Sequence, residues 1–328
     1  MKTFSVLIPA YNAAGYISRC LNSLKIQTYD DYEVVVVDDG SKDDTLRVLK
    51  KFKIENPEIE FRIHHQENIG AGPTRNKAIK LALGEFIVFL DSDDYIDSDF
   101  LEKVKDKIDS DNADVIFIDL IRERMDGSII RMERMSDFAH LDKDRMIRWQ
   151  LTGKMPWGGV RKVVRRSIVQ DNQLEYAPIK VGEESFYSFR VLEEAYRVSF
   201  QREAIYHYID TGVSLTSKDT ISNSSTVFSF LSESLSETGK MEKYRETVNA
   251  LAVTTVAVAL NLLSVSHLSR ALIRDGKEQI NKYRRYLDDR IDVDALDTRV
   301  KLLLPWIKLG WPLPIYLIAK LSRLIKKQ

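Results

Sequence analysis

From Phe4 to Ile118 the chain alternates two kinds of apolar pattern. Short apolar, β-branched runs occur at Phe4 to Ile8, Glu33 to Val37, Phe61 to His65, Glu85 to Leu90 and Asp114 to Ile118, each bounded by turn-forming residues, which predicts strands. Between them, Tyr16, Cys20 and Leu24, then Leu46, Leu49 and Phe52, then Ala78 and Leu81 recur at helical spacing, which predicts helices with one buried face. Strand and helix in regular alternation predict a parallel, doubly wound α/β sheet. Ligands bind such sheets at the carboxyl ends of the strands. The loops Pro9 to Asn12, Asp38 to Ser41, Asn68 to Arg75 and Asp91 to Asp94 are therefore expected to converge.

Beyond Gly127 the pattern is mixed. A helix is predicted over Lys143 to Leu151, a glycine-rich turn at Trp157-Gly158-Gly159, a helix over Glu184 to Ala195, and strands over Arg197 to Gln201 and Ala204 to Tyr208. These complete one domain, residues 1–212. The Ser/Thr-rich stretch Ser214 to Ser225 reads as a linker, and residues 213–328 as a helical C-terminal region. Ala250 to Leu263, with Thr254, Thr255 and Asn261 inside it, is shorter than the ~20 residues of a spanning helix and reads as a core or oligomer helix. In the last stretch no acid follows Asp297, and Arg299, Lys301, Lys308, Lys320, Arg323, Lys326 and Lys327 flank two runs, Leu302 to Trp306 and Trp311 to Ile318. That pattern suits an interfacial membrane anchor or a helix pair packed on another subunit. Pro305, Pro312 and Pro314 argue against a straight transmembrane helix.

Composition narrows the classes. Lysine plus arginine and aspartate plus glutamate balance at 49 each, so no overall positive field argues for nucleic acid. Cys20 is the only cysteine, which excludes an internal disulfide and a thiolate zinc cluster and fits a reducing compartment. The N-terminal run from Phe4 is cut by Pro9, too short for a signal-peptide core. A cytoplasmic protein is expected.

The densest chemistry is Asp91-Ser92-Asp93-Asp94, directly after Phe86 to Leu90. Three carboxylates at a strand exit suit a Mg²⁺ or Mn²⁺ ion shared with a nucleotide, because these hard cations take oxygen ligands and are held by one or two carboxylates plus phosphates. Capping of a helix starting near Ser98 accounts for one of these acids and not for three. Gly70 and Gly72 give permissive backbone beside Arg75, a phosphate-binding residue type. A nucleotidyltransferase needs a glycine-rich basic loop after the first strand, and a dehydrogenase needs G-x-G-x-x-G there. The chain has Pro9-Ala10-Tyr11-Asn12.

Five motifs occur together: Val6 to Asn12; Val36-Val37-Asp38-Asp39-Gly40-Ser41; Asn68-Ile69-Gly70 with Arg75-Asn76; Gly84-Glu85-Phe86 leading into Phe89 to Asp94; and Gly182-Glu183-Glu184. In this order and spacing the segment from Met1 to Tyr208 resembles the family 2 glycosyltransferases, inverting enzymes of the GT-A fold found in bacterial capsule and cell-surface polysaccharide synthesis. The resemblance implies a Rossmann-like nucleotide-diphospho-sugar transferase sheet, a UDP-sugar donor, a metal ion, and a glycan or lipid-linked acceptor at the inner face of the cytoplasmic membrane.

It also implies roles. Asp39 accepts a hydrogen bond from the uracil ring NH and Tyr11 stacks on the base, with Pro9 and Asn68 completing that side. Asp91 and Asp93 form the D-x-D element, Asp93 as direct metal ligand and Asp91, beside Ser92, on the ribose or on metal-bound water. Arg75 offsets diphosphate charge. The catalytic base is Glu184, where the family usually has aspartate, with Glu183 as the alternative. Trp157, Lys162, Arg165 and Arg166 resemble the acceptor-side segment. The family's basic residue after Tyr206-His207-Tyr208 is replaced by Ile209 and Thr211, with His207 or Lys218 as substitutes. The competing readings are a nucleotide-sugar-binding assembly protein with little turnover and a nucleotidyltransferase.

Overall fold

In the computed structural model, which describes residues 2–212 and 221–325, the N-terminal apolar runs become strands covered on both faces. β1 (Phe4–Ala10), α1 (Ile17–Lys25), β2 (Tyr32–Asp38), α2 (Thr45–Glu55), β3 (Glu60–His65), α3 (Ala71–Leu81) and β4 (Phe86–Phe89) follow in turn. β2 and β4 are buried at every position and β1 at all but Pro9, the pattern of a parallel sheet with helices on each side. The four strands lie parallel in the order β3-β2-β1-β4. Chain direction around β1 therefore splits to two sides, and the loops after β1 and β4 flank the split where α/β sheets bind ligands. Glu33, fully buried in β2, is tolerated because Ser5 Oγ (2.5 Å), the Leu83 N–H (2.6 Å) and Arg62 all donate to it, meeting the needs of a buried carboxylate.

The remaining elements of this unit extend the parallel strands into a mixed sheet. They are β5 (Tyr95–Ile96), α4 (Phe100–Asp111), β6 (Val115–Arg124), β7 (Ile129–Glu133), β8 (Lys162–Arg165), α6 (Arg166–Asp171), α7 (Ser185–Glu194) and β9 (Val198–Asp210); α5 (Lys143–Leu151), between β7 and β8 in the chain, belongs almost wholly to the second unit. β8 lies antiparallel between β4 and β6, so the sheet is mixed. Arg165 holds it there, paired with Glu85 before β4 and with Asp114 before β6 at 3.0 Å. The two strands expected over 197–208 are the single strand β9, parallel to β6 with a register shift near Asp119.

The chain forms two compact units, Met1–Lys143 with Trp157–Ser214, and Asp144–Pro156 with Leu215–Gln328. The second is helical: α8 (Ile221–Glu237), α9 (Arg245–Leu263), α10 (Arg270–Lys282), α11 (Arg284–Leu287), α12 (Thr298–Lys308) and α13 (Pro312–Ile325). α9 is long and apolar enough to cross a membrane, yet it is mostly buried as the core helix of this unit. Residues 144–156, expected within the first domain, are tied here instead. Arg145 pairs with Asp294 through two 3.0 Å bonds, Arg148 with Asp292 at 2.9 Å, and Thr152 Oγ1 donates to the Ala295 carbonyl at 2.7 Å. Of the expected linker, Ser214 to Thr220 lie outside the described residues, as do Lys218, Lys326 and Lys327; α8 begins at Ile221.

Candidate active site

The loops at the carboxyl ends of β1, β2 and β3 are sewn together by short polar bonds. The Asp39 N–H donates to the Ala10 carbonyl (2.8 Å), the Asn12 N–H to Ser41 Oγ (2.9 Å), the Ala13 N–H to Thr45 Oγ1 (2.8 Å), and the Lys42 N–H to Asn12 Oδ1 (2.8 Å). Gly40, at φ +75°, sits where a Cβ would stand 2.8 Å from the Asn68 nitrogen, so a side chain there would push the β2 and β3 loops apart. Tyr11, 49% exposed, stands at this edge beside half-buried Pro9.

The doubled acids after β2 divide the work. Asp38 is fully buried, accepting from Ser41 Oγ and bonded to His65 Nδ1 at 2.6 Å. Asp39 takes the Gln66 amide (2.7 Å) and the Ile69 N–H (2.9 Å) on Oδ1 and the Gly70 N–H (2.9 Å) on Oδ2. A carboxylate offers about four acceptor positions, so one remains on Oδ2. Asn68 is drawn into the same loop, its amide donating to the Asp39 carbonyl at 3.0 Å.

After β4 the three acids separate as well. Asp94 is 1% exposed and turned inward, accepting from the Tyr206 hydroxyl (2.6 Å) and the Ile209 N–H (2.8 Å). Burial, with Asp91 and Asp93 beside it, holds it well above the ordinary carboxylate range. Asp94 is thus an anchor for β9, and the acidic cluster offers two carboxylates, not three. None of these acids caps α4, which begins at Phe100 behind Asp99. Asp93 and Ser92 are half-buried. Burial and the charge of Asp91 push Asp93 up to about 6, while Arg19 and Arg75 act against this.

Arg75 links the acids to the other side of the sheet. Its guanidinium binds Asp91 at 3.0 Å and Glu183 at 3.1 Å and lies over the Tyr176 ring at 5.6 Å. Glu183 is held above its usual range by burial first and then by Glu184, against the pull of Arg75. Glu184 is the residue before α7, and its Oε2 accepts the Gly159 N–H at 3.1 Å. An acidic pair at a helix N-terminus is favoured by the helix dipole alone, but here each glutamate also has its own partner across the site.

Other candidates are structural. His207 bridges Glu123 (2.7 Å) and Asp97 (2.9 Å) and stacks on Tyr95 with centroids 4.2 Å apart. Arg165 and Arg166 hold strands, Arg166 donating to the Gly84 carbonyl at 2.5 Å. Trp157 is half-buried. Sequence reasoning missed Arg19, which donates to the Asp93 carbonyl at 3.0 Å and lies over Tyr95, and Tyr206, whose hydroxyl also accepts the Asp91 N–H at 3.3 Å. Neither carries a local motif.

Among the described residues no group of three or more His, Cys, Asp or Glu forms a metal cage. Asp91 and Asp93 are both hard oxygen donors, and Asp93 is raised by burial first and then by the charge of Asp91. Two neighbouring carboxylates, Asp91 paired with Arg75 and Asp93 without a cation bonded to its side chain among the described residues, fit Mg²⁺ or Mn²⁺ with phosphates to complete the shell.

An open sheet ordered β3-β2-β1-β4 with acids at its ligand end is the framework of nucleotide-sugar transferases of the GT-A type, and the comparisons agree. Residues 5–173 match Glycosyl transferase family 2. The chain is 31% identical over 257 residues to EpsH of Bacillus subtilis (strain 168), spanning 76% of this chain and 74% of that protein. It is 31% identical over 214 residues to the poly(ribitol-phosphate) beta-N-acetylglucosaminyltransferase TarS of Staphylococcus aureus (strain Mu50), spanning 63% of this chain but 35% of TarS. The crystal structure of S. aureus TarS 1–349 in complex with UDP-GlcNAc matches with a TM-score of 0.69 at 23% identity, over 98% of this chain and 92% of that one, a likeness of fold. The chain belongs to glycosyl transferase family 2 and is a glycosyltransferase with a GT-A fold.

Proposed function

We propose that this enzyme moves a sugar from a UDP-sugar to a hydroxyl of a cell-surface glycan or lipid-linked acceptor, with inversion at the anomeric carbon. The observation that carries the reading is the chain of ion pairs Asp91–Arg75–Glu183, which gathers the donor-side acids and the Glu183-Glu184 segment at one end of the sheet. The UDP-GlcNAc complex of TarS supports uridine diphosphate as the leaving group.

In this reading Tyr11 stacks on uracil, and the remaining acceptor position of Asp39 takes the ring NH. Pro9 and Asn68 border the base, and Ser92 and Asp91 face the ribose. Asp93, with Asp91, would hold Mg²⁺ or Mn²⁺, which when bound neutralises charge on the departing diphosphate. Arg75 adds a second positive group on that side. Glu184 takes the proton of the acceptor hydroxyl as its oxygen bonds to the anomeric carbon, and the bond from that carbon to the diphosphate oxygen breaks. Glu183 is engaged by Arg75, which leaves Glu184, oriented through Oε2 by the Gly159 N–H, as the base.

Thermal shift with Mn²⁺ across a panel of UDP-sugars, followed by UDP release with candidate acceptors, tests this directly. Donor binding with acceptor-dependent UDP release is expected. Binding with no release for any acceptor would favour a donor-binding assembly protein instead.

The second unit supports a membrane-surface role. Leu302, Leu309, Trp311, Leu313, Leu317, Ile318 and Leu321 are exposed, and Trp306 stacks on Trp311 at 6.2 Å. Arg299 and Lys308 are exposed near them, Lys320 is half-exposed, and no acid follows Asp297. Apolar surface beside the cations Arg299, Lys308 and Lys320 is the pattern that meets anionic lipid. The enzyme then works in the cytoplasm at the inner face of the membrane.

A further inference from the structure

Lys162 opens β8 with only 2% exposure. Its ammonium donates to the Gly158 carbonyl at 2.7 Å and to Ser188 Oγ, itself fully buried, at 2.9 Å. Each partner is bonded to Glu184 or adjoins a residue that is. Gly158, at φ +86°, turns the chain so that the next N–H, that of Gly159, meets the Glu184 carboxylate. A Cβ on Gly159 would stand 2.7 Å from the Tyr176 hydroxyl, so the turn has little room to move. Ser188 lies one helical turn beyond Glu184, its N–H donating to the Glu184 carbonyl at 2.8 Å.

We infer that Lys162 is a positioning residue for the Glu184 carboxylate, clamping the Gly158-Gly159 turn to α7 so that the base keeps one orientation. This rests on the reading of Glu184 as the base. A purely structural lysine is a poor account of the site. Burial lowers Lys162 to about 8, with Glu184 acting in the opposite direction and Arg161 adding to the lowering. A methionine of similar length would fill the same space without a buried charge to compensate. The charged groups facing Glu184 are Lys162 from β8, Arg75 from α3 and the neighbouring Glu183, and Lys162 alone among these three also grips its supporting backbone.

The test is the full chain with Lys162→Met, Ser188→Ala and Glu184→Gln, singly and with Lys162→Met combined with Glu184→Gln. Lys162→Met is expected to lower kcat about a hundredfold, the loss that follows from misplacing a catalytic group by roughly an ångström, while KM for the UDP-sugar stays at the wild-type value. Ser188→Ala, a smaller change that keeps the ammonium, is expected to lower kcat several-fold with the same unchanged KM, and it carries the test if Lys162→Met melts early. The double variant is expected to be no slower than Glu184→Gln alone, because Lys162 acts through that residue. Wild-type kcat in Lys162→Met beside an inactive Glu184→Gln overturns this inference alone, as does a further loss in the double variant. A fully active Glu184→Gln overturns the base assignment first and this inference with it.

Discussion

The two units differ in how much charge they bury. In the first, Glu33, Asp38, Asp39, Asp94 and Lys162 are all buried, each held by a named partner, and the ligand end of the sheet adds Arg75 between two carboxylates. In the second, the core helix α9 carries no charged residue from Val248 to Leu263, and apolar side chains of α12 and α13 face outward. Burying ions is costly unless each is compensated. Glu33 aside, which lies at the amino end of β2, the first unit accepts that cost around one set of loops, which marks those loops as the place of chemistry. The second spends its apolar groups on a core and on a surface, and its variants should leave turnover with soluble acceptors intact.

The sharpest test of that contrast is Asp93→Ala. Removing the proposed metal ligand is expected to lower transfer at least ~10²-fold, the scale of losing an electrostatic stabiliser of developing charge, and to weaken UDP-sugar binding measured in Mn²⁺. EDTA added to the wild-type enzyme should produce the same loss. Unchanged turnover in both would remove the metal from the mechanism.

Glu184→Gln follows closely. It keeps size but cannot accept the proton, so kcat should fall ~10²- to 10⁴-fold with donor affinity preserved. An active Glu184→Gln beside an inactive Glu183→Gln would move the role to the neighbour, despite the latter's bond to Arg75.

Much of this was legible in the sequence because the first unit is locally consistent. β1 to β4 are apolar runs between Asp- and Gly-rich turns, and α1 to α3 show their buried stripes, so the parallel strands and their ligand end followed. What escaped was long-range. Asp94 looks like a third metal ligand until Tyr206, 112 residues away, is seen to hold it. β8 runs antiparallel because Arg165 meets Glu85 and Asp114, pairs without a local signature. Residues 144–156 read as a helix and turn of the first domain, while their partners Asp292 and Asp294 lie more than 130 residues on. The hairpin of β6 and β7 was legible and overlooked, since Asp126-Gly127 between strands is a strong turn signal.

A third prediction concerns the base. With one acceptor position left on Asp39, Asp39→Asn is expected to reduce the preference for UDP over CDP by about tenfold, the scale of one hydrogen bond to a charged group. Competition of the two nucleotides against a labelled UDP-sugar measures it. Equal affinities already in the wild type would mean that Asp39 serves only to fold the Gln66–Gly70 loop.

Glu133 offers a pH test within the first unit. Burial would raise it, but Arg161, Arg131 and Arg122 outweigh that and lower it from 4.5 to about 2. A carboxylate depressed on folding contributes stability that is complete above its unfolded pKa and lost as pH falls from about 4.5 through about 2. Glu133→Gln is expected to cost about 2 kcal/mol at pH 7, after allowance for screening, and almost nothing at pH 2. Chemical denaturation at both pH values decides it. An equal cost at the two would show that packing, not charge, is what Glu133 supplies.

The smallest effect on turnover is expected where the apolar surface is largest. Leu317→Glu with Leu321→Glu alters two exposed residues of α13, one helical turn apart, so neither core packing nor the sheet should change. UDP release with a soluble acceptor is expected to stay at the wild-type rate. Sedimentation with anionic liposomes should fall sharply, because the variant loses two apolar contacts and sets new negative charge among cations that contribute about 1 kcal/mol each at a lipid surface. High salt should weaken wild-type attachment in the same direction, since a Debye length of about 3 Å at 1 M screens the basic residues. Light scattering run in parallel separates lipid from protein as the occupant. If the variant still binds liposomes and instead drops to a smaller oligomer, the face belongs to a second copy of the chain and the membrane reading fails.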